Sequence, residues 1–105
     1  MPLFYSKVYG IVQGVGFRPF VDRLAARFHI FGSVCNKGPF VEIIAQGKSE
    51  AVQDFFAAIR NEPPERAAIL KMDTETLDVP ETYTSFSIIE SAKERGDIFV
   101  SPDIA

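Results

Sequence analysis

Apolar positions along the chain recur at two spacings, and the switches between them mark out its elements. Over residues 3–12 the period is two: Phe4, Val8 and Val12 share one side, with Ser6 and Gly10 as small members of the same face. From Pro19 the period becomes helical. Phe20, Val21, Leu24, Ala25 and Phe28 form one face, and Asp22, Arg23, Ala26 and Arg27 the other. Pro19 suits the first helical position, where its missing N–H costs nothing, and Gly32 is expected to end that segment. Residues 32–36 read as a short strand with Val34 facing one way and Ser33 and Cys35 the other. After the turn Lys37-Gly38-Pro39, residues 40–46 return as a strand with Val41, Ile43 and Ala45 inward, and Gly47 breaks it. Ser49 is then a candidate N-cap, with Glu50 favourable in the first turn of a second helix. That helix carries Val52, Phe55, Phe56 and Ile59 and stops before Pro63-Pro64. Residues 67–76 are extended, with Leu70 and Met72 at period two; residues 80–82 lie in a turn region. Residues 83–90 form a last strand using Phe86 and Ile88.

The order is β-α-β-β-α-β. Two helices on one face of an antiparallel sheet of four or five strands bury these stripes economically, which makes the chain an α+β protein with a ferredoxin-like α/β sandwich. Order alone leaves other topologies open. The pattern fades after residue 90, so residues 1–90 are read as the domain and residues 91–105 as a tail or linker.

At 105 residues there is room for one core. The net charge of −3 argues against a nucleic-acid partner held by a broad basic face, but not against one small anion held locally. The single cysteine, Cys35, permits no internal disulfide, which favours a cytoplasmic location. No stretch is apolar for long enough to span a bilayer, and the first residues lack the basic-then-apolar pattern of a secretory signal. His29 stands alone, and Cys35 has neither a second cysteine nor a histidine beside it in sequence, so no metal site or thiol nucleophile is expected.

One stretch carries candidate chemistry: Gly10-Ile11-Val12-Gln13-Gly14-Val15-Gly16-Phe17-Arg18-Pro19-Phe20, between the first strand and the first helix. Gly14 and Gly16 allow the loop to curl so that backbone N–H groups turn inward. A helix start adds further free N–H groups and the positive end of the peptide dipole. Arg18 adds a planar, permanently charged fork. From the residues alone, Gln13, Gly14, Val15, Gly16, Phe17 and Arg18 fit a phosphate or carboxylate site. They also fit ordinary turn glycines beside a solvated arginine.

The match extends further than such a loop. Gln-Gly-Val-x-Phe-Arg directly after a strand resembles the phosphate loop of the acylphosphatase family. With Gly16 and the continuation Pro19-Phe20, it is similar to the N-terminal acylphosphatase-like domain of the [NiFe]-hydrogenase maturation carbamoyltransferases. The likeness runs from about residue 7 to residue 90. It implies the ferredoxin-like topology, phosphoryl binding by Arg18, and a water-positioning role for Asn36, which follows the Gly-x-Val-x segment at a strand end. It implies hydrolysis of acyl phosphates, with carbamoyl phosphate the expected substrate, and no metal or other cofactor. Partners implied are downstream domains of the same chain, some using ATP, and other hydrogenase maturation proteins. The segment Val100-Ser101-Pro102-Asp103-Ile104-Ala105 resembles the lead-in to a cysteine-rich segment of those proteins, so a domain of a longer protein is expected. The short turn after Asn36 and the Arg-Pro-Phe continuation depart from the small stand-alone acylphosphatases. Two rival readings remain. An RNA-recognition domain shares the element order, but the third strand, Phe-Val-Glu-Ile-Ile-Ala, lacks that fold's central motif. A carbamoyl-phosphate-binding or docking module with little turnover would need the same Gln13 to Arg18 loop.

Overall fold

The computed structural model describes residues 2–80 and 82–89. Seven elements follow in order: β1 (Pro2–Ile11), α1 (Phe17–Phe28), β2 (Phe31–Asn36), β3 (Val41–Gln46), α2 (Ser49–Asn61), β4 (Ala68–Asp78) and β5 (Phe86–Ile89). The strands form one sheet in the order β4-β1-β3-β2-β5. The expected ferredoxin-like sandwich is present. Three of the four pairings are antiparallel, and the short β5 runs parallel to β2 at the edge. Glu81, Glu90 and the expected tail at residues 91–105 lie outside the described residues.

Alternation puts Val8 of β1, Val34 of β2, and Val41, Ile43 and Ala45 of β3 on one face, each fully buried. Both helices lay their apolar stripes on that face. Val21, Leu24 and Ala25 of α1 and Val52, Phe55, Phe56 and Ile59 of α2 join the same buried cluster. The other face holds the alternate residues. Cys35, opposite Glu42 on β3, is a thiol with no exposed surface, as its predicted orientation away from Val34 allows, and its Sγ lies 3.6 Å from the Asn36 carbonyl oxygen.

Several boundaries differ from expectation for physical reasons. Helix α1 starts at Phe17, not Pro19. Proline at the third position is tolerated because none of the first four N–H groups has an intrahelical partner. Its end is set before Gly32, by His29 in the left-handed conformation (φ 58°, ψ 48°). The His29 and Ile30 N–H groups turn back onto the carbonyls of Ala26 and Ala25 at 3.4 and 2.8 Å, a Schellman closure. Gly32 lies inside β2 with φ 141°, where an added Cβ would come within 1.9 Å of the Ile44 carbonyl oxygen across the ladder. Its role is close approach of two backbones. Ser49 is the first helical residue and Lys48 the cap, without a side-chain cap bond. Leu70 is 80% exposed although it shares period two with Met72. The β1–β4 register shifts between Tyr9 and Gly10, so that Lys71 and Ile69 face consecutive residues of β1 and Leu70 is the extra residue of a bulge. Past the bulge, the inner face passes to Ile69, which packs on the core with Met72.

Two left-handed positions therefore predict opposite effects. Gly32→Ala should lower unfolding free energy by about 2–4 kcal/mol, because the clash is with backbone that cannot swing aside. His29→Gly should raise it by about 0.5–1 kcal/mol, because glycine removes the Cβ penalty at φ 58°. Urea denaturation of both variants checks this; an unperturbed Gly32→Ala would refute the close approach.

Candidate active site

Strands β1 and β2 each pair antiparallel with β3 between them, so both run in one direction and end at the same edge of the sandwich. In one cross-sheet row, Val8 faces Val41, which faces Asn36. The loop after β1 and the turn after β2 are thereby brought together from distant parts of the sequence.

The loop is clamped at both ends. Val12 is 2% exposed and Phe17 1%, and Val15 packs against the same core. Burial of a phenylalanine contributes about 2–3 kcal/mol, enough to hold the helix start in place. Between these anchors Gln13, Gly14 and Gly16 are exposed. Gly14 and Gly16 take φ 71° and 76°, left-handed values that let a short loop curl, and no neighbouring atom crowds either position. Gly16 caps α1, and the Phe20 N–H donates to its carbonyl at 3.2 Å. The first turn of α1 contains no acidic residue, so no carboxylate of that turn offsets the positive end of the helix. Arg18 lies in this turn, half-buried. A curled glycine loop, a helix start and a guanidinium can together hold a dianion.

Asn36 is the last residue of β2 and is half-buried. Its Oδ1 accepts the Gly38 N–H at 2.8 Å, and the Lys37 N–H donates to the Phe40 carbonyl at 2.9 Å, which closes the turn. The Gln13 side chain crosses to this turn, its Nε2 donating to the Gly38 carbonyl. Gln13 and Asn36 thus meet on the two sides of one glycine. The sequence reading treated Lys37-Gly38-Pro39 only as a connection. Asn36 followed two residues later by Gly38 is the spacing of an Asx-turn, and that signal was available. Among the described residues no group of three or more His, Cys, Asp or Glu side chains is placed to hold a metal ion. None of their helices is long and apolar enough to cross a membrane.

This architecture is that of a known family. The Acylphosphatase family profile matches residues 4–88, and the chain belongs to that family. Within it, the chain is similar to two kinds of protein. Over 101 residues it is 42% identical to a probable carbamoyltransferase HypF from Methanocaldococcus jannaschii, covering 94% of this chain and 13% of the relative. Over 85 residues it is 34% identical to an acylphosphatase from Staphylococcus haemolyticus, covering 81% of this chain and 96% of the relative. A crystal structure of full-length HypF in a phosphate- and nucleotide-bound form superposes with a TM-score of 0.79 at 30% identity, over 87% of this chain and 12% of that one. The chain spans about an eighth of the length of the curated HypF carbamoyltransferase it matches.

The loop geometry predicts where an anion should register. Titration with inorganic phosphate should move the backbone amide resonances of Gly14, Val15, Gly16 and Arg18 before any others. Shifts spread evenly over the surface would refute a site at this loop.

Proposed function

We propose that this domain hydrolyses acyl phosphates, with carbamoyl phosphate as its substrate inside a larger hydrogenase-maturation carbamoyltransferase. The observation that carries the reading is the contact between the loop after β1 and the turn that follows Asn36, made by Gln13 and Gly38. It puts a cradle suited to a phosphoryl group beside a strand-end carboxamide suited to a water molecule. Membership of the acylphosphatase family supports the reaction class, and the likeness to HypF proteins supports the choice of acyl group.

In this reading the N–H groups of residues 13–18 and the Arg18 guanidinium hold the phosphoryl oxygens of the substrate. The Asn36 carboxamide holds a water in line with the bond from phosphorus to the acyl oxygen. The water oxygen forms a new bond to phosphorus as the acyl oxygen departs with the bonding electrons, leaving carbamate and phosphate. The water's proton passes to a phosphoryl oxygen, so no separate base is required. The leaving carboxylate or carbamate is stable as an anion, and what the protein must supply is alignment and charge stabilisation. Arg18 serves the ground state and the transition state alike, because the phosphoryl charge is present in both. Residues 1–90 constitute the catalytic domain in this account and residues 91–105 lead toward further domains. The location is cytoplasmic, and the partners are those domains and other hydrogenase maturation proteins.

The two residues should separate in kinetics. Arg18→Ala should weaken competitive inhibition by phosphate and nearly abolish turnover, and Arg18→Lys should restore only part of either, since an ammonium lacks the fixed fork. Asn36→Ala should lower kcat by about 10²-fold while leaving phosphate inhibition nearly unchanged. The check is kcat and phosphate inhibition measured for each variant on carbamoyl phosphate. Equal loss of phosphate affinity in the Arg18→Ala and Asn36→Ala variants would assign Asn36 to the anion cradle and remove its role with water.

A further inference from the structure

The geometry points to Gln13 as a positioning residue that sets the Asn36 carboxamide through the backbone of Gly38, and not as a side-chain ligand of the anion. The inference rests on the reading of Asn36 given above.

Glutamine in a glycine-rich anion loop invites the view that its amide reaches the phosphate. The side chain instead leaves the loop, and its Nε2 donates to the Gly38 carbonyl. The same residue is engaged through its other backbone group as well: the Gly38 N–H, in the preceding peptide, donates to Asn36 Oδ1 at 2.8 Å. Each hydrogen bond constrains the next. Gln13 fixes the tilt of the turn, the turn fixes the direction of the Gly38 N–H, and that N–H selects which end of the Asn36 carboxamide faces it. Because Oδ1 accepts from Gly38, the carboxamide is held with Nδ2 as its outward donor. A water held by Nδ2 accepts one hydrogen bond and keeps a lone pair for attack, with both its protons free to move toward phosphoryl oxygens. The reversed carboxamide would accept a proton from the water and leave Gly38 facing an N–H group, so the two orientations are chemically distinct.

Two other described contacts of the turn do not duplicate this link. The Lys37 N–H to Phe40 carbonyl bond closes the turn on itself at 2.9 Å, and the Lys37 ammonium lies 3.9 Å from the Glu42 carboxylate. Neither spans from the turn to the loop. Gln13 is exposed, so its substitution leaves the buried anchors Val12 and Phe17 untouched.

The relay has a signature that a direct ligand lacks. Gln13→Met keeps the side chain's length and removes its donor. Measured on carbamoyl phosphate, it should lower kcat by about tenfold, a fraction of the loss expected from misplacing a reacting group by an ångström. Phosphate inhibition should stay within about twofold of the parent. In the Asn36→Ala background the same change should produce no further loss, because the group it positions is gone; independent effects would multiply. The Gly38 amide and the Asn36 side-chain amide resonances should shift in Gln13→Met without substrate present. Parallel loss of kcat and phosphate affinity would make Gln13 an anion ligand and overturn the proposal. So would an undiminished kcat, or an effect that multiplies with that of Asn36→Ala. If Asn36→Ala itself retained full kcat, the reading of Asn36 would fail first. The linkage would then be judged by the resonances alone, and unmoved Gly38 and Asn36 signals would overturn it as well.

Discussion

The candidate site depends on one constraint: a six-residue strand-to-helix passage, Val12 to Phe17, whose two ends are buried and whose middle cannot be. Val12 and Phe17 sit in the core, and the backbone between them must satisfy its polar groups at the surface. Left-handed glycines at 14 and 16 let the chain make that passage in the space available. The consequence is an exposed, curled loop beside the start of α1, and it follows from the burial of apolar neighbours as much as from any demand of a ligand. The same core fixes the direction of β1 and β2, so that the turn after Asn36 emerges beside the loop.

Much of this was legible in the sequence because the core is regular where the site needs it to be. Val41, Ile43 and Ala45 alternate without interruption, and Val52, Phe55, Phe56 and Ile59 keep helical spacing, so both layers and their shared face could be read directly. What escaped was set by tertiary geometry. Proline at the third position of a helix looks the same in sequence as proline at the first, which displaced the start of α1. Leu70 kept its period while a bulge moved the inner face to Ile69, and a bulge has no pattern of its own in a single strand. Gly32 read as a terminator because a close approach to Ile44 depends on a neighbour twelve residues away. The parallel placement of β5 beside β2 likewise depends on how the chain returns, not on the four residues that pair.

Within the candidate site, the position of Arg18 and the glycines between β1 and α1 was readable from the motif, whereas the path of the Gln13 side chain was not. Its partner is a backbone carbonyl 25 residues on, and no side-chain pattern encodes such a bond. This division of labour has a physical logic. The curl of the loop is made by local conformation and so leaves a local trace. In the proposed reading, the alignment of a nucleophile is made between elements, through the backbone of the turn that lies opposite.

The central claim is that the domain holds the phosphoryl group and delivers water to phosphorus. Hydrolysis of carbamoyl phosphate or acetyl phosphate in ¹⁸O-labelled water tests it most directly, with mass analysis of the inorganic phosphate formed above the enzyme-free background. The account predicts one labelled oxygen in each phosphate produced and, from acetyl phosphate, none introduced into the acetate. Label in the acetate, with phosphate released unlabelled, would mean that water attacks the acyl carbon, and the assignment of the loop and of Asn36 to phosphoryl transfer would be contradicted.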